Sequence, residues 1–251
     1  MNIPNKKDAL HKAWLYRLLE AIADNQKLVK VMYFKGGTCA SMLGWLPRFS
    51  VDLDFDYAGE INAVAIESTR KELENVFIEL GLSIKDKSKV GIQYFLKYEN
   101  PKNTQSGRNT LKIDANFPLF KSSKYAPKRF SEIDRILSCQ TKETMFAHKL
   151  VAVIDRFEKT GQIAGRDIFD IHYFFLNGFE YDSAVIRERR KVKKVKEFFL
   201  QLHKFISANV TDAVITEDLS SLLPLLEFKR IRKILKREVL SLIQAEIDKF
   251  R

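Results

Sequence analysis

Cysteine is scarce in this chain. Cys39 and Cys139 stand far apart, so no disulfide framework staples the fold, and a reducing, cytoplasmic setting is expected. Long apolar runs are missing as well: none approaches the ~20 residues a membrane-spanning helix needs. The opening MNIPNKKDALHKAWLYRLLEAIA begins polar and then turns amphipathic, unlike a signal peptide. Secretion and a membrane partner are therefore disfavoured, and no internal repeat is visible. Acid is in deficit, with 32 Asp and Glu against 43 Lys and Arg for a net charge of +11. That balance suits a polyanionic partner. What is present, 251 residues at 45% hydrophobic content, can bury a full core as one large domain or two small ones.

The densest signal lies in residues 35–56, KGGTCASMLGWLPRFSVDLDFD. Residues 31–34 form a short apolar run that reads as a buried strand, Gly36 and Gly37 break it, and Thr38 precedes a helix-compatible CASMLGWL. Both glycines can take positive φ and leave backbone N–H groups bare to phosphate oxygens. Thr38 could cap the helix or offer its hydroxyl to the same phosphates. A plain structural turn would have the same appearance. Downstream, Val51, Leu53 and Phe55 alternate with Asp52, Asp54 and Asp56, so one strand face is apolar and the other all carboxylate. Asp52 and Asp54 would stand about 6 to 7 Å apart on that face, close enough to share magnesium together with substrate phosphates. An amphipathic strand with a wet face is the bland alternative. Three adjacent like charges repel, however, and Asp is a poor strand former, a cost that a cation would remove.

A glycine turn, a helix and then a D-x-D strand together resemble the nucleotidyltransferase fold of the DNA polymerase β type. More closely, KGGT followed by RFSVDLDFD is similar to the abortive-infection AbiEii/AbiGii toxins of type IV systems, which include the MenT-like nucleotidyltransferases. The resemblance covers roughly residues 30–178. It implies binding of an NTP at Lys35, Gly36, Gly37 and Thr38, with Arg48 and Ser50 matching the R-x-S that precedes the D-x-D. It also implies Mg2+ (or Mn2+) on Asp52 and Asp54, and a third carboxylate on a later strand. In TLKIDANF (110–117), Leu111, Ile113, Ala115 and Phe117 share one face and Asp114 lies on the other, so Asp114 is the candidate third ligand; an exposed strand Asp beside Lys112 and Asn116 is the alternative.

In KETMFAHKLVAVIDRF (142–157), Phe146, Leu150, Val153, Ile154 and Phe157 form a helical core stripe with Lys149 on its margin. A lysine there usually snorkels to water; the resemblance implies that Lys149 contacts nucleotide phosphates. GRDIFDI (165–171) matches the family's R-D-x-x-D. Asp167 and Asp170 share a helical face, Asp167 being also a plain first-turn acid, and the resemblance makes one of them essential for orienting Lys149 or Arg48. Arg48 could equally be a surface arginine, and Lys35 could pair with Asp54 or Asp56.

Coarse periodicity predicts helices over 6–23, 38–45, 62–80, 142–157, 166–177, 183–208 and 228–250. Strands are expected over 31–35, 51–57, 82–87, 91–99, 109–117 and 134–138, with a hairpin loop over 99–109 and a basic loop over 120–130. This reads as an α/β (α+β) fold, a mixed-sheet catalytic domain over 1–178 followed by a basic helical region over 179–251. Residues 187–251 hold 16 basic and 9 acidic residues, clustered as RERRKVKK and KRIRKILKR, a phosphate-binding surface or simply a solvated helix face. The resemblance implies NMP transfer to an acceptor, the 3′ end of tRNA, blocking translation, with a cognate antitoxin as protein partner. The rivals are a small-molecule or protein acceptor (antibiotic modification or AMPylation) and a non-catalytic nucleic-acid-binding module.

Overall fold

A computed structural model describes residues 3–99 and 108–250. Most of the loop expected over 99–109 lies outside the described residues. Two compact units are formed, Met1–Leu119 with Tyr125–Gln140, and Phe120–Lys124 with Thr141–Arg251. The helices that follow Gln140 group with the C-terminal helices.

The first unit is built on helices α1 (Ala9–Asp24), α2 (Leu28–Val31), α3 (Gly36–Met42) and α4 (Ala63–Glu79). Its strands are β1 (Met32–Lys35), β2 (Asp52–Tyr57), β3 (Ser83–Lys87), β4 (Ile92–Lys97), β5 (Thr110–Asn116), β6 (Tyr125–Phe130) and β7 (Arg135–Gln140). They join into one mixed seven-stranded sheet of order β3-β4-β5-β2-β1-β7-β6. β2 runs antiparallel to β1 and parallel to β5, while β1 runs parallel to β7. Register sets the faces: Phe34 pairs with Phe55, and Leu53 with Ile113, all buried on the apolar side, where α1 contributes Leu15, Leu18, Leu19 and Ile22. The same alternation turns the Asp side chains of β2 to the opposite face. The predicted basic loop over 120–130 holds over 120–124 and is corrected to the edge strand β6 over Tyr125–Phe130. Pro127 is tolerated there because an edge strand need not donate on its outer side.

The second unit is helical: α5 (Lys142–Thr160), α6 (Gly165–Leu176), α7 (Ser183–Arg190), α8 (Val195–Asn209), α9 (Asp212–Leu219), α10 (Leu225–Ile231) and α11 (Leu235–Asp248). Thr141 caps α5 by accepting from the Thr144 N–H, and Gly161, left-handed at φ 70°, ends it. The helix predicted over 183–208 is two helices. The chain breaks at Lys191, left-handed at φ 53°, inside a basic run whose like charges disfavour continuation. The helix predicted over 228–250 is likewise two, α10 and α11, and α10 starts already after Pro224. Among the described residues no helix is long and apolar enough to cross a membrane.

Candidate active site

In the first unit the acidic face of β2 is completed by its neighbours. Asp54 stands in register with Lys35 on β1 and with Asp114 on β5, and Asp52 in register with Lys112. Asp52, Asp54 and Asp114 thus share one face of the sheet, half-buried. Gln93 on β4 pairs with Asp114 and donates to its Oδ2 at 2.9 Å. Lys112 donates to the same oxygen at 2.9 Å. Burial works against the Lys112 charge, yet the Asp114 hydrogen bond and the charges of Asp114, Asp54 and Asp52 outweigh it and hold its pKa above the ordinary lysine value. Lys112 belongs to this cluster, and its place two residues before Asp114 was the available signal in the sequence.

Asp56 differs from the other two acids of its strand. It is 7% exposed, accepts from Tyr125 Oη at 2.8 Å and Gln140 Nε2 at 2.7 Å, and forms an ion pair with Lys35 at 2.5 Å. Three donors from β1, β6 and β7 make it a structural anchor and give Lys35 the Asp56 partner rather than Asp54.

The glycine turn abuts this face. Gly36 opens α3 at φ 80°, where a Cβ would stand 2.5 Å from Asp54 Oδ2. At Gly37 a Cβ would meet Ser50 Oγ at 2.8 Å and Arg48 Nη2 at 2.9 Å. Arg48 is therefore no surface residue: it is 2% exposed, packs behind the turn and donates to the Phe49 carbonyl at 2.9 Å. Ser50 is buried beside it. Thr38 is fully buried and lies inside the helix rather than at its cap, which is Lys35; its hydroxyl donates to the Asp52 carbonyl and fastens α3 to β2.

The second unit assembles its own charged group. Lys149 Nζ on α5 lies 2.8 Å from Asp170 Oδ2 and 3.7 Å from Asp167 Oδ1 on α6. Asp167 is engaged instead by Arg156, at 3.0 and 3.1 Å. Both acids are buried, and the shorter contact makes Asp170 the nearer partner of Lys149. The basic run at the end of α7 is only partly available. Arg189 pairs with Asp155 at 2.5 Å, and Arg190 pairs with Asp155 at 2.6 Å and Glu158 at 2.7 Å.

Chemically, the β2 face offers hard carboxylate oxygens, the donors that magnesium or manganese prefers. A glycine sits where any side chain would crowd Asp54. Among the described residues no three His, Cys, Asp or Glu side chains form a ready-made metal cage, so an ion here would draw remaining ligands from substrate and water. The residues present fit such an ion.

Solved structures that resemble the chain include two from Helicobacter pylori. JHP933 from Helicobacter pylori superposes with a TM-score of 0.57 at 17% identity, covering 99% of this chain and 94% of that one. A protein described as a "putative nucleotidyltransferase" from H. pylori superposes with a TM-score of 0.57 at 17% identity, covering 98% and 99%. At that identity the likeness concerns the fold. No curated protein matches the sequence. The profile of the family described as "Nucleotidyl transferase AbiEii toxin, Type IV TA system" matches residues 17–237. The chain belongs to the AbiEii toxin family of type IV toxin–antitoxin systems and is a nucleotidyltransferase.

Proposed function

We propose that this protein transfers an NMP from an NTP to the 3′ end of tRNA, using Mg2+ or Mn2+, and thereby blocks translation in the cytoplasm until a cognate antitoxin restrains it. The observation that carries the reading is the carboxylate face of β2 set against a glycine turn too tight for any side chain. Asp52 and Asp54 would hold the ion, with Asp114 beside them as the third carboxylate of the face. Gly36 and Gly37 leave backbone N–H groups to the β- and γ-phosphates. Arg48, Ser50 and Thr38 hold that turn from behind. Lys149, oriented by Asp170, is assigned to triphosphate oxygens on the family pattern. When bound, the divalent cation neutralises triphosphate charge and lowers the pKa of the acceptor hydroxyl. The hydroxyl oxygen attacks the α-phosphorus, the bond to the bridging oxygen breaks, and pyrophosphate leaves. The NMP stays esterified to the acceptor and the hydroxyl proton passes to solvent.

A protein or small-molecule acceptor is the second reading, favoured by one observation: Arg189 and Arg190 spend their charge on Asp155 and Glu158 rather than on a polyanion. Incubation with magnesium, total tRNA and each α-labelled NTP in turn separates the two. Label on tRNA supports the first reading. Label on protein, or label transferred only when small hydroxyl compounds replace tRNA, overturns it.

A further inference from the structure

The third carboxylate of the acidic face carries its own cation. Lys112 and Asp114 lie two apart on β5, hence on one side of the sheet, and Lys112 stands in register with Asp52 while Asp114 stands in register with Asp54. The Lys112 ammonium and the Gln93 amide converge on a single oxygen, Asp114 Oδ2, each at 2.9 Å. The Asp114 side chain is 20% exposed and that of Lys112 28%, so the pair is partly shielded from solvent. Both donors occupy Asp114 Oδ2, so a cation would have to approach through Oδ1. Any metal drawn to it would sit beside the Lys112 charge.

We propose that Lys112 is a positioning residue that locks Asp114 out of the metal sphere. The protein then offers two carboxylates, Asp52 and Asp54, rather than three. Lys112 also sets the charge of the face: three carboxylates against one ammonium leave two negative charges, the complement of a single divalent cation. One ion is bound by protein side chains, and any second ion arrives with the triphosphate. The inference rests on the reading of Asp52 and Asp54 as metal ligands.

Titration of Mn2+ followed by electron paramagnetic resonance, with and without a non-hydrolysable NTP analogue, tests it without reference to turnover. The wild-type chain binds one Mn2+ when nucleotide is absent. Asp114→Asn stays within about threefold of that affinity. Lys112→Met tightens Mn2+ about tenfold or admits a second ion, as expected when a nearby positive charge is removed, and Lys112→Met with Asp114→Asn loses this gain. Lys112→Gln, which keeps a polar side chain, is measured beside it, and a thermal melt shows each variant folded. Asp114→Asn weakening Mn2+ tenfold or more, or both Lys112 variants leaving affinity unchanged, overturns the proposal. Asp54→Asn serves as the separate check on the underlying site: unchanged Mn2+ binding there removes the metal reading itself, and the proposal with it.

Discussion

At the residue scale, three aspartates with identical spacing on β2 have different surroundings. Asp56 is enclosed by Lys35, Tyr125 and Gln140, while Asp52 and Asp54 face the half-buried side near the glycine turn. The alternating pattern made all three legible as one acidic face. It could not sort anchor from ligand, because two of the three partners of Asp56 come from β6 and β7, far along the chain. Arg48 was illegible for a related reason: an arginine after Pro47 reads as surface, and only the packing of Gly37 against its guanidinium reveals a buried support. Gly36→Ala is expected to destabilise by about 1–2 kcal/mol through its left-handed backbone. It should also cut transfer by a larger factor, because the new Cβ displaces Asp54. Chemical denaturation beside an NTP-transfer assay reads both effects. Asp170→Asn leaves Lys149 beside a neutral partner. The expected outcome is a folded protein with a raised KM for NTP, whereas Asp167→Asn, whose acid mainly serves Arg156, has the smaller effect; steady-state kinetics on both variants checks this ranking.

At the element scale, periodicity identified the strands of the sheet core and the helices α1, α4, α5 and α6, since each buries one regular stripe. It failed where short-range chemistry competes with the stripe. β6 was hidden by Pro127 and its basic neighbours, and α9 by its shortness, although Thr211 caps it by accepting from the Val214 N–H. Helices α7 and α8 were merged because helical spacing runs through the basic segment that Lys191 interrupts. Helix α7 is tied to residues 120–124 by acids. Burial pushes the Glu188 carboxyl up, but hydrogen bonds from Ser122 and the Lys121 backbone N–H prevail and hold it below the ordinary value. Burial likewise opposes Asp182, and its bonds from Lys124 and the Ala184 N–H win. A carboxylate with a depressed folded pKa stabilises fully above its unfolded value, and that contribution is lost as pH falls through the folded one. Urea unfolding is therefore expected to show stability dropping below about pH 4.5, and Glu188→Gln should flatten part of that drop.

At the scale of the whole molecule, the net charge of +11 is the feature that bears most on the acceptor. If the acceptor is RNA, counterion release makes binding salt-dependent, and affinity should fall by about a hundredfold or more between roughly 50 and 200 mM salt. Filter binding across that range measures the slope; a flat response would favour a small-molecule or protein acceptor. The nucleotidyltransferase core was legible because its turn, helix and D-x-D strand are contiguous within residues 35–56. Lys112 was only partly legible: its ion-pair partner Asp114 lies two residues on, but strand pairing with β2 and β4 is what sets the pair beside Asp52, Asp54 and Gln93. The central claim is that the face formed by Asp52 and Asp54 is the reaction centre and that Asp56 is its scaffold. The most direct test is α-labelled NMP transfer per folded molecule for Asp52→Asn, Asp54→Asn and Asp56→Asn, with folded fractions taken from thermal melts. The account predicts that the first two variants stay folded and lose about a thousandfold or more, while Asp56→Asn melts lower and keeps most of its turnover per folded chain. Transfer within tenfold of wild type in Asp52→Asn or Asp54→Asn would contradict it.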